Sequence, residues 1–303
     1  MKSDFIWMDG ELVPYDQATV HFITPTLHYG VGVFEGIRCY QTPKGPAVFR
    51  LREHMTRFIE SIHILGVKDF PYRVDDLRRA VHQTIQANGF TECYIRPLMY
   101  LQGPMGLNMD QSRPKVGIAT WEWGPYLGRE AGEKGAHMMV SSFTRLHPNI
   151  NLTKSKVSGN YVNSMLVKTL ALRSGYDEAV ILDPQGYVAE CTGENIFMVR
   201  KGVLYTPPLA TVLEGLTRDT VLTFAADAGI RAEERLFTRD QLYIADEVFI
   251  TGTAAEIVGI VKVDHRLVKD GQLGPITRSL AQSFAETVHG TGKHSAEWLD
   301  YPD

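Results

Sequence analysis

Apolar periodicity along this chain switches between strand-like alternation and helical spacing in both halves, but never in a regular strand–helix–strand repeat. A doubly wound parallel sheet needs that repeat, because each parallel crossover carries a helix. The order therefore points to an α+β fold. In the first half, residues 6–13 read as a hairpin turning at Asp9-Gly10, a pair suited to a tight turn. A strand is predicted over 47–51, followed by Met55, Phe58, Ile59, Ile62 and Leu65 at helical spacing. A second helix is marked by Asp75 and Asp76 in its first turn, a face of Val74, Leu77, Val81, Thr84 and Ile85, and Gly89 after its end. Strands follow over 93–102 and 116–123.

The polar, glycine-rich stretch Gly128-Arg-Glu-Ala-Gly-Glu-Lys-Gly135 reads as a connection between domains. It divides a small N-terminal α/β domain, 1–127, from a larger C-terminal domain, 137–303, with 128–136 as linker. In the second part a strand is predicted over 137–143 and a helix over 161–174. One hairpin spans 178–190 around Pro184-Gln185-Gly186, and another turns at Arg200-Lys201-Gly202. A helix over 217–228, a strand over 247–251 and a final helix over 275–289 complete the order.

Several function classes drop out early. A net charge of −4 gives no field that would gather nucleic acid or an anionic membrane. Cys39, Cys93 and Cys191 form no CxxC pair and leave an odd count, so neither a disulfide framework nor a zinc site is expected. That usage fits a reducing, cytoplasmic setting. The start, Met1-Lys2-Ser3-Asp4-Phe5, carries an early acid and no apolar core, so it does not read as a signal peptide. No apolar run reaches membrane-spanning length. GxSxG, P-loop and HExxH motifs are missing, as is a GxGxxG after a strand.

The stretch Lys154-Ser-Lys156-Val-Ser-Gly159-Asn160-Tyr161 stands apart, because a lysine precedes a Gly-Asn-Tyr helix start. Taken alone it reads as a solvated lysine pair. It resembles, however, the K-x-x-G-N-Y segment of fold type IV enzymes that use pyridoxal 5′-phosphate (PLP), where the lysine binds the cofactor as a Schiff base. Lys156 has the matching distance to Tyr161, and Lys154 does not. Further segments resemble the same family in order. They are His28-Tyr29-Gly30 with Val33-Phe34-Glu35-Gly36-Ile37-Arg38, Arg52-Glu53-His54-Met55 with Arg57, and Glu190-Cys-Thr-Gly193-Glu194-Asn195. Glu214-Gly215-Leu216-Thr217-Arg218 and Thr251-Gly252-Thr253-Ala254-Ala255-Glu256 follow. The resemblance implies the two-domain, D-amino acid aminotransferase-like fold.

It also implies roles that physical chemistry supports. The PLP phosphate needs a cation and several donors: Arg57 offers a guanidinium fork, Leu216 and Thr217 a helix N-terminus, and Thr253 a hydroxyl and an amide. A plain N-cap is the alternative for Thr217. Glu190 is expected at the pyridine nitrogen, where a carboxylate keeps the ring protonated. Tyr161 is expected at the phenolate oxygen. Lys156 is both the attachment point and, once displaced by the amino acid, the base and acid that moves the proton.

Tyr94-Ile95-Arg96-Pro97 puts Tyr94 and Arg96 on one strand face and resembles the Y-[IV]-R-P segment of branched-chain amino acid aminotransferases. The resemblance implies that Tyr94 meets the substrate α-carboxylate, with the amides of Thr253 and Ala254. It gives Arg96 the distal carboxylate of glutamate. Pro97 also admits an edge strand with Arg96 in a surface ion pair. Phe34, Gly36, Trp123 and Tyr126 are expected to line an apolar pocket for leucine, isoleucine and valine. Tyr29, Met105 and Leu107 resemble residues lent by the second subunit of a homodimer, whose active site lies at the dimer interface, or of a homohexamer. The expected reaction is ping-pong transamination with 2-oxoglutarate. A fold type IV transaminase for D-amino acids or (R)-amines, and a catalytically silent PLP-binding protein, are the alternatives.

Overall fold

A computed structural model describes residues 3–124 and 126–302; Met1 and Lys2, which belong to the signal-peptide reading, lie outside them. The chain divides into two compact units. The first comprises Met1–Trp123, Lys154–Gly159 and Thr287–Asp303, and the second Gly124–Thr153 and Asn160–Glu286. Within 128–136, Arg129–Lys134 form a short helix and Ala136 opens a strand. The return of 154–159 and 287–303 to the first unit rests on long-range contacts, which a linear reading of composition does not register.

The first unit is built on an eight-stranded sheet among the described residues. Its order is Leu299–Asp300, Gly45–Phe49, Ile37–Thr42, Cys93–Gln102, Arg113–Trp121, Phe5–Met8, Glu11–Pro14, with Gly32–Phe34 also on Cys93–Gln102. Period-two alternation splits the central strand. Cys93, Ile95, Met99 and Leu101, with Val116 and Ile118, are buried in the core that also holds two helices. Helix Leu51–Ile64 contributes Leu51, Met55, Phe58 and Ile62; helix Val74–Ala87 contributes Leu77, Val81 and Ile85. Tyr94, Arg96, Leu98 and Tyr100 therefore face the other way. The hairpin turns at Asp9 and Gly10, with φ of 49° and 108°, as expected. The strand predicted over 47–51 runs instead over Gly45–Phe49, because Arg50 adopts φ 51° and Leu51 starts the helix. The strand predicted over 116–123 is Arg113–Trp121.

Pro97 does not mark an edge. Cys93–Gln102 is paired on both sides, with Pro97 opposite Ile118. On the other side the Glu35 amide donates to the Pro97 carbonyl at 3.0 Å. Proline has no N–H to return that bond. The ladder breaks there, so Gly32–Phe34 and Ile37–Thr42 are separate strands with Glu35-Gly36 between them.

The second unit carries a nine-stranded mixed sheet among the described residues. Its order is Val188–Glu190, Glu178–Leu182, Ala136–Thr144, Glu256–Val263, Glu247–Gly252, Asn195–Arg200, Val203–Thr206, Ala232–Glu234; Arg266–Leu267 also pairs with Glu256–Val263. The parallel neighbours interrupt an otherwise antiparallel sheet, so the architecture is α+β as expected. Helix Tyr161–Arg173 buries Ser164, Val167 and Ala171, and Val167 and Ala171 pack with Ala179 and Ile181. Phe197 and Phe249 stack at 5.0 Å. Helix Leu216–Asp227 and helix Pro275–Val288 complete the expected set. Among the described residues no helix is long and apolar enough to cross a membrane.

Candidate active site

In the first unit Lys156 sits on a segment that runs beside strand Gly32–Phe34. Val157 bridges Val33, and the Lys156 carbonyl accepts the Phe34 amide at 3.1 Å. The Lys156 amide donates to Ser61 Oγ at 3.2 Å, and Ser155 Oγ donates to the Ser61 carbonyl at 2.8 Å. Lys156 Nζ lies 5.0 Å from the Phe34 ring centroid. Gly159 serves a close chain crossing: its amide donates to the Gly30 carbonyl at 3.0 Å, and a Cβ on Gly30 would come within 3.1 Å of Gly159 Cα. Gly30 also has φ 70°, a backbone conformation that favours glycine at this crossing.

Arg57 is expected as a phosphate fork, and one of its edges is already committed. Arg57 Nε and Nη2 donate to Glu35 Oε1 and Oε2 at 2.7 and 2.8 Å. His54 Nδ1 donates to Glu35 Oε2 at 2.8 Å, since an ionised carboxylate only accepts. Glu35 is fully buried and His54 nearly so. Burial pushes the Glu35 carboxyl up, but Arg57 and His54 outweigh it and hold it well below the usual carboxylate range. His54 is lowered by burial, which the pull of Glu35 does not overcome, and the charges of Arg57 and Lys156 act the same way. The result is an ionised glutamate under a neutral imidazole and a partly buried guanidinium. Arg57 is thereby fixed in orientation by its Nε and Nη2 bonds to Glu35.

Tyr94 and Arg96 share the open sheet face. Arg96 Nη2 donates to Tyr94 Oη at 3.0 Å, and its guanidinium carbon lies 4.6 Å from the Phe34 ring centroid. Trp123 meets Tyr94 edge-on at 4.5 Å. Gly36 makes room for the tyrosine, because a Cβ there would stand 2.0 Å from Tyr94 Oη. Arg96 is also the cation in the wall of a largely apolar cavity of about 290 Å³, lined by Ile6, Met8, Val20, Leu27 and Leu98 among others. Arg96 is thus no surface ion pair. Tyr29, Met105 and Leu107 belong to this unit and are exposed.

The second unit gathers the remaining expected residues. Glu190 ends strand Val188–Glu190, buried, with Oε1 at 2.5 Å from Arg145 Nε. Glu190 Oε2 accepts the Leu213 amide at 3.3 Å, and Asn195 Nδ2 donates to the Leu213 carbonyl at 3.1 Å. Leu213 is thereby clipped from both sides. Gly215 then abuts Asn195, whose Oδ1 would be 2.0 Å from a Cβ. Helix Leu216–Asp227 starts at Gly215 with no side-chain cap, so Thr217 is inside the helix rather than its N-cap. Such an N-terminus suits an anion. Thr253-Ala254-Ala255 join strands Glu247–Gly252 and Glu256–Val263, closed by Glu256 at φ 59°. The buried Thr251 hydroxyl has no hydrogen-bond partner among the described residues. Tyr161 begins helix Tyr161–Arg173.

Tyr126 lies in this second unit with a charged cluster rather than a purely apolar wall. Lys168 Nζ is 5.0 Å from its ring centroid and 2.6 Å from Glu178 Oε2. Burial, with Glu194 and Glu178, raises the Tyr126 phenol. Burial and Glu178 push Glu194 up to about 8, although the Gly193 amide donates to it at 3.0 Å.

Sequence reasoning missed Glu35, His54, Arg145 and Glu194 as partners. Glu35, His54 and Glu194 stood within quoted motifs but had no assigned contact, and Arg145 carried no local signal. Cys39 and Cys93, far apart in sequence, are direct cross-strand neighbours.

The family described as amino-transferase class IV matches residues 32–263. The chain is 47% identical over 298 residues to the branched-chain-amino-acid aminotransferase of Pseudomonas aeruginosa, covering 98% of this chain and 97% of that one. It is 44% identical to the Escherichia coli K12 enzyme of the same name, covering 99% and 97%. A crystal structure of the E. coli enzyme superposes with a TM-score of 0.97 over 100% of both chains, at 44% identity. The branched-chain amino acid aminotransferase of Thermobaculum terrenum, in its PLP-bound holo-form, superposes at 0.90 with 34% identity, covering 98% of this chain and 97% of that one.

Proposed function

Since this chain belongs to the class IV amino-transferases, we propose that it transaminates L-leucine, L-isoleucine and L-valine with 2-oxoglutarate, using pyridoxal 5′-phosphate. The observation that carries this reading is the Tyr94–Arg96 pair against Phe34, beside Lys156, in a chain 47% identical to a branched-chain enzyme. The residues suit the cofactor. A phosphate has Arg57, the uncapped start of helix Leu216–Asp227 with Thr217, and the hydroxyl of Thr253. The unpartnered Thr251 hydroxyl is a further donor in the same segment. The pyridine nitrogen has Glu190, oriented by Arg145. The phenolate oxygen has Tyr161, and the aldehyde has Lys156.

Bound, the cofactor supplies an electron sink that lets the substrate Cα release its proton. Lys156 Nζ would take the proton from the substrate Cα and deliver it to the C4′ carbon of the cofactor, and would carry it the opposite way in the second half-reaction. Glu190 keeps the ring nitrogen protonated. Tyr94 and the amides of Thr253 and Ala254 hold the α-carboxylate. Phe34, Gly36, Trp123 and Tyr126 receive the branched side chain, and Arg96 receives the distal carboxylate of glutamate. The exposed Leu27, Tyr29, Met105 and Leu107 support a homodimer or a multiple of one, with Tyr29, Met105 and Leu107 lent to the neighbouring active site. The free, buried cysteines support a reducing, cytoplasmic setting.

The test is the visible spectrum of the purified holoenzyme. L-Leucine is expected to bleach the absorbance of the lysine-bound cofactor, and Lys156→Ala to lose both the band and the turnover. Activity on D-alanine without activity on L-leucine, or a protein that takes up no PLP, would refute the assignment.

A further inference from the structure

Trp121 plays no part in the assignments above, yet it stands in the middle of them. It is the direct cross-strand partner of Tyr94, and Arg96 is the next residue along the same face. The Trp121 and Tyr94 ring centroids are 5.0 Å apart, and the Arg96 guanidinium carbon is 6.0 Å from the Trp121 ring. Two nitrogens in this cluster, Trp121 Nε1 and Arg96 Nε, are buried and have no hydrogen-bond partner among the described residues. Both are donor-only groups, so only an acceptor satisfies them. A pair of unmet buried donors, one of them charged, is costly unless an anion arrives with the ligand. Before it arrives, the aromatic faces of Phe34, Tyr94 and Trp121 hold the planar guanidinium by cation–π contact.

We propose that Trp121 is a specificity-determining residue whose indole Nε1–H, together with Arg96 Nε, receives the distal carboxylate of the dicarboxylate substrate. The proposal rests on the reading of Arg96 given above. A carboxylate can accept from both donors at once, one charged and one neutral. A branched aliphatic side chain gains the aromatic walls but leaves both donors unmet. Discrimination by a buried donor exceeds that by apolar fit, because the wrong ligand leaves the polar group unpaired. Trp121 thus sharpens the choice of the dicarboxylate without excluding the branched chain.

Trp121→Phe keeps a ring and removes the N–H. The aminated holoenzyme is assayed with 2-oxoglutarate and with 4-methyl-2-oxopentanoate. The ratio of kcat/KM for the first over the second is expected to fall roughly 10- to 100-fold, mainly through the KM for 2-oxoglutarate. An unchanged ratio, or an equal loss on both substrates, overturns the proposal. A measurement on the unaltered protein guards against a folding defect in the variant. In ¹⁵N-tryptophan-labelled holoenzyme the Trp121 indole resonance is assigned by substituting the other three tryptophans in turn. It is expected to shift with glutarate and not with 4-methylvaleric acid; no shift, or the same shift with both, overturns the proposal. Failure to transaminate L-leucine would sink the functional reading instead, and the glutarate spectrum would still decide the role of Trp121.

Discussion

Replacing Glu35 by glutamine probes the buried network that holds Arg57. In the native protein Glu35 accepts two bonds from Arg57, one from His54 and one from the Gly36 amide. The amide of Glu35→Gln has one acceptor oxygen, which can keep one of the Arg57 bonds. Its NH2 then faces the other Arg57 donor, and that charge-assisted bond is lost. His54 can adapt, because a neutral imidazole can move its proton to Nε2 and accept at Nδ1. Arg57 cannot, and its side chain is only 12% exposed. Breaking one side of a buried ion pair costs about 3–5 kcal/mol, and the retained bond puts this variant near the lower figure, about 3.

Urea unfolding of the holoenzyme at neutral pH, followed by circular dichroism, measures that loss. The pH dependence supplies an independent check. Glu35 is depressed in the folded state, so it contributes stability above its unfolded value of 4.5, lost as pH falls below it. Glutamine does not titrate. The gap between the two proteins is therefore expected to narrow by about 1 kcal/mol on going from about pH 7 to about pH 4. A loss below about 1 kcal/mol at neutral pH, or a gap that does not narrow in acid, would show that the pair does not carry the charge balance described.

Gly36→Ala is expected to push Tyr94 aside, since the new Cβ would sit 2.0 Å from its hydroxyl. Steady-state kinetics with L-leucine should show kcat/KM down about 10- to 100-fold, as for a misplaced contact group, and wild-type values would argue that Tyr94 is not a substrate contact. Glu194 is raised to about 8 by burial and by Glu178, so the folded state keeps a proton that the unfolded state releases. Its contribution therefore makes stability fall as pH rises between 4.5 and about 8. Glu194→Gln should flatten that fall in urea titrations across the same window, and identical slopes would contradict the assignment.

Local order was readable from residues a few positions apart. The helical faces of Met55, Phe58 and Ile62 and of Leu77, Val81 and Ile85 are buried in one core, and the strand over 93–102 has the predicted bounds. The alternation of Tyr94 and Arg96 placed both on one face for the same reason, because side-chain direction in a strand follows from period two alone. The spacing from Lys156 to Tyr161 likewise needed only consecutive residues.

Partnerships across the fold were decided elsewhere. Glu35 with Arg57 and His54, Arg145 with Glu190, and Trp121 opposite Tyr94 all depend on which elements pack or pair and in what register. Pro97 shows the boundary most plainly. Its missing N–H is written in the sequence, and an edge strand is one way to accommodate it. The fold uses another, breaking the neighbouring strand at Glu35-Gly36, beside the glycine that makes room for Tyr94. Local propensity acts through neighbouring residues, so the chain alone declares it; a buried charge finds its counter-charge only when tertiary packing brings distant segments together.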